Sequence, residues 1–145
     1  MTTLKYNSVL VPNDFSDQAH DAVDTALALA GDASRLTILH VAPPLSTLSV
    51  GDPAVVWQSI SDETRCEHLR TEFQKQYSGE KYKGLKIVVA FGGPADEITR
   101  YAEKESVDLI VLPSHGRTGL MHLLIGSVAE RVVRLAHCPV LVLRD

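Results

Sequence analysis

Cysteine is scarce: the 145-residue chain carries two, Cys66 and Cys138. Two cysteines do not make a disulfide framework. Cys66 shares an apolar helical stripe with Leu69 and Phe73, which predicts a buried free thiol. Cys138, between an expected helix and an expected strand, reads as structural. An excess of positive charge is also missing. The 14 Lys and Arg are outnumbered by 18 Asp and Glu, giving a formal net charge of −4. Nothing electrostatic therefore recommends a nucleic-acid partner, and Arg117, Arg131 and Arg134 form at best a local cluster. No apolar run approaches the roughly 18 residues of a membrane helix. The opening MTTLKYNSVLVPND has no basic region followed by a long apolar stretch. No signal peptide is expected, and the cytoplasm is the expected compartment.

Familiar chemical signatures are absent as well. There is no G-x-x-x-x-G-K-[ST] to place a phosphate-binding lysine, and no G-x-G-x-x-G after the first strand. C-x-x-C and H-E-x-x-H do not occur. Cys66, Glu67 and His68 are helix neighbours whose side chains point apart, a poor metal set. Ser114 and His115 lack the spacing of a nucleophile elbow. No catalytic residue and no protein-supplied metal site is assigned. His40 reads as a core or edge residue of a strand. His20, His68, His122 and His137 read as surface or helix-end groups.

What the chain does have is strict alternation. Short apolar, β-branched runs at Ser8–Pro12, Arg35–Ala42, Leu85–Phe91, Asp108–Leu112 and Pro139–Leu143 predict five strands. Helices are expected between them. Ser16–Ala30 puts Ala19, Ala22, Val23, Ala26, Leu27 and Ala30 on one face and stops at Gly31. Pro53–Tyr77, after a loop over 43–52, turns Val56, Ile60, Leu69, Phe73 and Tyr77 inward. Gly92-Gly93-Pro94 opens a third helix with Asp96 and Glu97 in its first turn, where the dipole favours anions. A fourth runs from Ser127 to about His137. Apolar strands separated by helices predict one α/β domain over residues 1–145. Its form is an open, doubly wound, five-stranded parallel sheet of order 3-2-1-4-5 with helices on both faces.

Ligands of such sheets bind beyond the C-terminal strand ends, where the strand order reverses. Two segments come into view there. In Val11–Ser16 (VPNDFS), Asp14 leaves the strand end able to accept from a ribose hydroxyl or a base amino group, and Pro12 offers an apolar edge to a flat ring. Turn chemistry explains the same letters, with Ser16 as the cap of the next helix. In Pro113–Ser127, Gly116, Gly119 and Gly126 allow close backbone approach, and the helix beginning at Ser127 offers free N–H groups to an anion. Ser127 and Glu130 also fit a capping box, and neither reading excludes the other.

Taken together, VLVPNDFS, ILHV, GGPADEI, SHGRTGLMHLLIGSVAERVV and CPVLVLR make the chain resemble the single-domain universal stress proteins, over nearly its whole length. The nucleotide-binding branch of that family carries G-x2-G-x9-G-[ST]. Here Gly116, Gly126 and Ser127 match, and Pro113 stands where the first glycine belongs. The resemblance implies ATP, or AMP or ADP, with Mg2+ accompanying the nucleotide. By position, Pro12, Asn13, Asp14 and Val41 would surround adenine and ribose. Leu112, Pro113 and Gly116, flanked by His115 and Arg117, would lie beside ribose and phosphate. Gly126, Ser127 and Val128 would hold phosphates. The resemblance also implies a homodimer through Pro139–Leu143. Two other outcomes stay open: a slow ATPase or phosphoryl-transfer enzyme with His115 as the nearby base, and an interaction protein of the same fold without nucleotide. Pro113 removes one donor, a loss of about tenfold in affinity at most, unless its ring meets the ribose.

Overall fold

The computed structural model describes residues 6–43, 62–114 and 125–144. Five strands, β1 (Val9–Pro12), β2 (Leu36–Ala42), β3 (Lys86–Phe91), β4 (Leu109–Pro113) and β5 (Val140–Leu143), form one parallel sheet in the order β3-β2-β1-β4-β5. Among the described residues four α-helices accompany them: α1 (Asp17–Ala30), α2 (Asp62–Gln76), α3 (Pro94–Lys104) and α4 (Ser127–Leu135). The fold class and the strand order are those expected from the sequence.

Both faces of the sheet are covered, and the strand residues sort by parity. Val9, Val11, Ile38, Leu109 and Val111 pack beneath Ala22, Val23 and Ala26 of α1 and Phe73 of α2. Leu10, Leu39, Ile110 and Leu112 pack against Ala95, Ile98 and Ala102 of α3 and Ala129 and Val132 of α4. The alanine stripe of α1 lets that helix lie close on β1 and β4. Its ends are chemically marked: the Ser16 hydroxyl accepts from Ala19 N–H at 3.2 Å, and Gly31 closes it at φ 76.

α2 buries Phe73 and Tyr77 as expected, while Leu69 is only half-buried. Cys66 is half-buried too, not the buried thiol read from its stripe. Two helical turns separate it from Phe73, and only the C-terminal end of α2 lies deep on the sheet. Val56 and Ile60 lie outside the described residues. Cys138 packs beside the second core cluster, and burial raises its thiol pKa.

Candidate functional site

The ladder between β1 and β4 is short at the switch point, and two prolines explain why. The β1–β4 ladder consists of Val9 with Leu109 and Leu10 with Ile110. On their outer sides both strands run further, β1 to Pro12 opposite Leu39 and β4 to Pro113 opposite Leu143. Successive residues of a strand aim their N–H groups at opposite neighbours. Asn13 N–H donates to Leu39 O at 2.9 Å, so odd positions of β1 face β2 and even positions face β4. Ile110 N–H donates to Pro139 O at 3.0 Å and Ser114 N–H to Leu143 O at 2.8 Å, so odd positions of β4 face β1. The next donors across the gap belong to positions 12 and 113. Both are proline and have no N–H. The β1–β4 ladder ends there, at the C-terminal edge of the sheet, where open sheets of this kind have their switch-point crevice.

α4 forms one lip of this crevice. Gly126 N–H donates to Ser114 O at 2.6 Å, which ties the start of α4 to the end of β4. Gly126 is the N-cap, without a side-chain cap bond, and the first intrahelical bond runs from Glu130 N–H to Gly126 O at 3.0 Å. The N–H groups of Ser127, Val128 and Ala129 therefore have no intrahelical acceptor, and the positive end of the helix dipole lies with them. The capping box expected of Ser127 and Glu130 is not formed. With Gly126 as cap, Ser127 is the first helical residue and Glu130 the fourth, one position too far along to reach back. Glu130 instead accepts from Arg134 at 2.8 Å.

The other lip is the segment after β1. Asn13 Oδ1 accepts from Phe15 N–H at 2.8 Å, and Asp14 Oδ1 from Ser16 N–H at 3.0 Å. These are two side-chain turns in series, followed directly by the Ser16 cap. They carry Phe15 through φ 67, a left-handed conformation that costs a non-glycine residue about 1–2 kcal/mol. Stacking opposes that cost: the Phe15 ring lies 3.9 Å from that of Phe73, tilted 18°. Asn13 is 3% exposed, and its Nδ2 donates to Tyr77 Oη at 2.9 Å, so its side chain is turned toward α2 and its backbone stays at the strand end. His40 Nδ1 lies 2.8 Å from Asn13 O. Val41 and Leu112 lie on the face covered by α3 and α4, and the alternation puts Pro12 there too.

The expected site residues thus divide. Pro12 ends β1 and Asn13 and Asp14 follow it, Leu112 and Pro113 end the neighbouring strand β4, and Gly126, tied to Ser114 O, precedes Ser127 and Val128 at the start of α4. His115, Gly116 and Arg117 lie outside the described residues. Two contributors were not legible in the sequence. Tyr77 looks like one more inward aromatic, yet its hydroxyl meets Asn13, 64 positions away. His20, read as a surface or helix-end group, is half-buried and joins Tyr77 Oη to Gln76 Nε2. No local pattern signals partners so far apart in the chain. A cavity of about 520 Å³ lies beside β2 and α2, with His40, Arg65 and His68 in its wall. The Arg65 charge there is already met by Asp62 at 3.2 Å.

An open, doubly wound parallel sheet with a crevice at its switch point and a helix N-terminus on the crevice lip defines a class of α/β binding domains. The family is settled by comparison. The model of the universal stress protein family matches residues 5–144, and the chain belongs to that family. Universal stress protein MJ0531 of Methanocaldococcus jannaschii is 34% identical, over 96% of this chain and 82% of its own. YxiE of Bacillus subtilis is also 34% identical, over 96% of this chain and 99% of its own. Among solved structures, the universal stress protein UspA of Lactobacillus plantarum superposes with a TM-score of 0.75 at 28% identity, covering 97% of this chain and 99% of its own. More distant members share the fold. One was solved in complex with cAMP (24% identity, TM-score 0.63, covering 97% and 98%), and one from Archaeoglobus fulgidus with dAMP (20%, 0.55, 96% and 98%).

Proposed function

We propose that the chain binds an adenine nucleotide in the β1–β4 crevice and acts as a cytoplasmic, dimeric stress-response module. The observation that carries this reading is the pairing of an opened sheet with three helix-start N–H groups that lack an intrahelical acceptor. Donors of that kind, at the positive end of a helix dipole, suit phosphate oxygens. Pro12, Val41 and Leu112 supply an apolar wall for a base, and Asp14 stands at the mouth for a ribose. The adenine nucleotides bound by two relatives of the same fold support the choice of ligand. ATP is the form we favour. Mg2+ would arrive with its phosphates and keep several waters, since no cluster of three His, Cys, Asp or Glu that could hold a metal occurs among the described residues.

Pro113 does not argue against this reading. It ends β4 without a positive φ, and its missing N–H costs no bond to β5, because that position faces the crevice. The loss is one donor toward the ligand. Calorimetric titration of Mg-ATP, AMP and cAMP into nucleotide-free protein, beside Pro113→Gly, tests the proposal. The parent is expected to bind, with the glycine variant about tenfold tighter at most. Binding by Pro113→Gly alone would mean that the proline has closed the site. No binding by either would sink the proposal and leave an interaction module without nucleotide.

The dimer is proposed through β5. It is an edge strand with β4 on one side, and Leu141 is 36% exposed on it. An apolar edge left unpaired invites a second copy.

A further inference from the structure

We propose that Tyr77, at the end of α2, is a positioning residue for the crevice: its hydroxyl fixes the conformation of the Asn13–Ser16 segment, so that α2 and the bound ligand are coupled. The role in ligand binding rests on the nucleotide reading above; the role in fixing the segment does not. Four observations converge on it. Asn13 is buried, and both ends of its amide are engaged, Nδ2 with Tyr77 and Oδ1 with Phe15 N–H. Tyr77 is itself 7% exposed, and its hydroxyl is shared between Asn13 and His20. Phe15, two residues after Asn13, is held in a left-handed conformation and rests on Phe73, one turn before Tyr77 at the end of α2. His40 grips the segment from β2 through Asn13 O.

The consequence follows from which groups can move. β1 is fixed in the sheet, but the segment beyond Pro12 has left the β4 ladder. Its shape is set by two side-chain turns, one strained residue and the contacts to α2. Without the Tyr77 hydroxyl, Asn13 Nδ2 is left buried and unsatisfied. Asn13 then gains by turning toward solvent, which releases its Oδ1 from Phe15 N–H. The strained φ of Phe15 loses its fixed neighbour, and Asp14 moves with it. Coupling is reciprocal: whatever α2 does to the affinity of the crevice, a ligand there does to the packing of α2.

The test uses Tyr77→Phe, which keeps the ring, and the double variant Asn13→Leu/Tyr77→Phe, which removes both polar partners. Amide hydrogen exchange reads the segment without any ligand. In Tyr77→Phe, Phe15 N–H and Ser16 N–H are expected to exchange roughly tenfold faster while the β1 amides stay protected. In the double variant the melting temperature is expected to recover toward the parent while those two amides remain fast. That split separates positioning from simple packing. Mg-ATP affinity is expected to fall roughly threefold to tenfold in both variants. Unchanged exchange at Phe15 and Ser16 in Tyr77→Phe overturns the proposal, whatever the parent binds. Restoration of both stability and protection in the double variant also overturns it. Faster exchange with unchanged Mg-ATP affinity keeps the loop fixation and overturns the coupling to ligand. A parent that binds no nucleotide removes the nucleotide reading and the coupling, and the loop fixation is then decided by exchange alone.

Discussion

Tyr77 has its hydroxyl among α1, α2 and the segment after β1, and burial pushes its pKa up from 10.0 to about 12. The sign of the effect on stability follows directly. An unfolded chain gives up this proton near pH 10, and the folded chain keeps it until about 12. Between those values the folded state binds more protons, so stability falls as pH rises, and below pH 10 the contribution is whole. Burial shifts Tyr82 and Tyr101 in the same direction. Urea midpoints measured from about pH 8 to about pH 12 should therefore decline in the parent and decline less steeply in Tyr77→Phe. Equal slopes in the two proteins would mean that the Tyr77 hydroxyl is exposed. At the same scale, Pro12 and Pro113 act by what they lack. Each removes a donor from one rung, and together they end the β1–β4 ladder.

At the scale of elements, two helices that open with serine differ in what the serine does. Ser16 is the cap of α1 and accepts from Ala19 N–H. Ser127 is the first residue inside α4, whose cap is Gly126. Ser16→Ala is expected to cost about 1 kcal/mol of stability, and Ser127→Ala less than about 0.5 kcal/mol. Denaturant unfolding of the two variants checks both values. A loss of about 1 kcal/mol at Ser127 would show that the capping box forms in solution after all. If Ser127 meets phosphate instead, its alanine variant should lose nucleotide affinity while keeping its stability. Exposed ion pairs such as Arg100 with Glu97 at 2.7 Å and Arg134 with Glu130 at 2.8 Å add little on this scale.

For the whole molecule, the strand order leaves β5 at one edge, and the question is what meets it. Pro139 O and Leu143 O both face β4, so the intervening even positions present their backbone outward. Val142→Pro removes an outward N–H and leaves the β4 side of the ladder in place. Light scattering should give twice the 15.8 kDa chain mass for the parent and a single chain for Val142→Pro, with melting temperatures that stay close. A monomeric parent would refute a dimer through this edge. The apolar side chains of α4 that remain in solvent, Val133 at 51% and Leu135 at 48%, belong to the same end of the sheet.

The five strands and the apolar face of α1 were legible in the sequence because they rest on local periodicity, and the doubly wound form because crossovers are right-handed. The crevice was legible as a place, since strand order fixes the switch point. Its cause was not, because Pro12 and Pro113 matter only once the strands are side by side and the direction of each N–H is known. The capping box was misread because S-x-x-E fixes a spacing and not a register: with Gly126 as the cap, Ser127 is already the first helical residue. The contacts among Asn13, Tyr77 and His20 carry no signal in a linear reading. Their meeting depends on α2 crossing the sheet beside α1, and only tertiary packing brings groups 64 and 57 positions apart within hydrogen-bond reach.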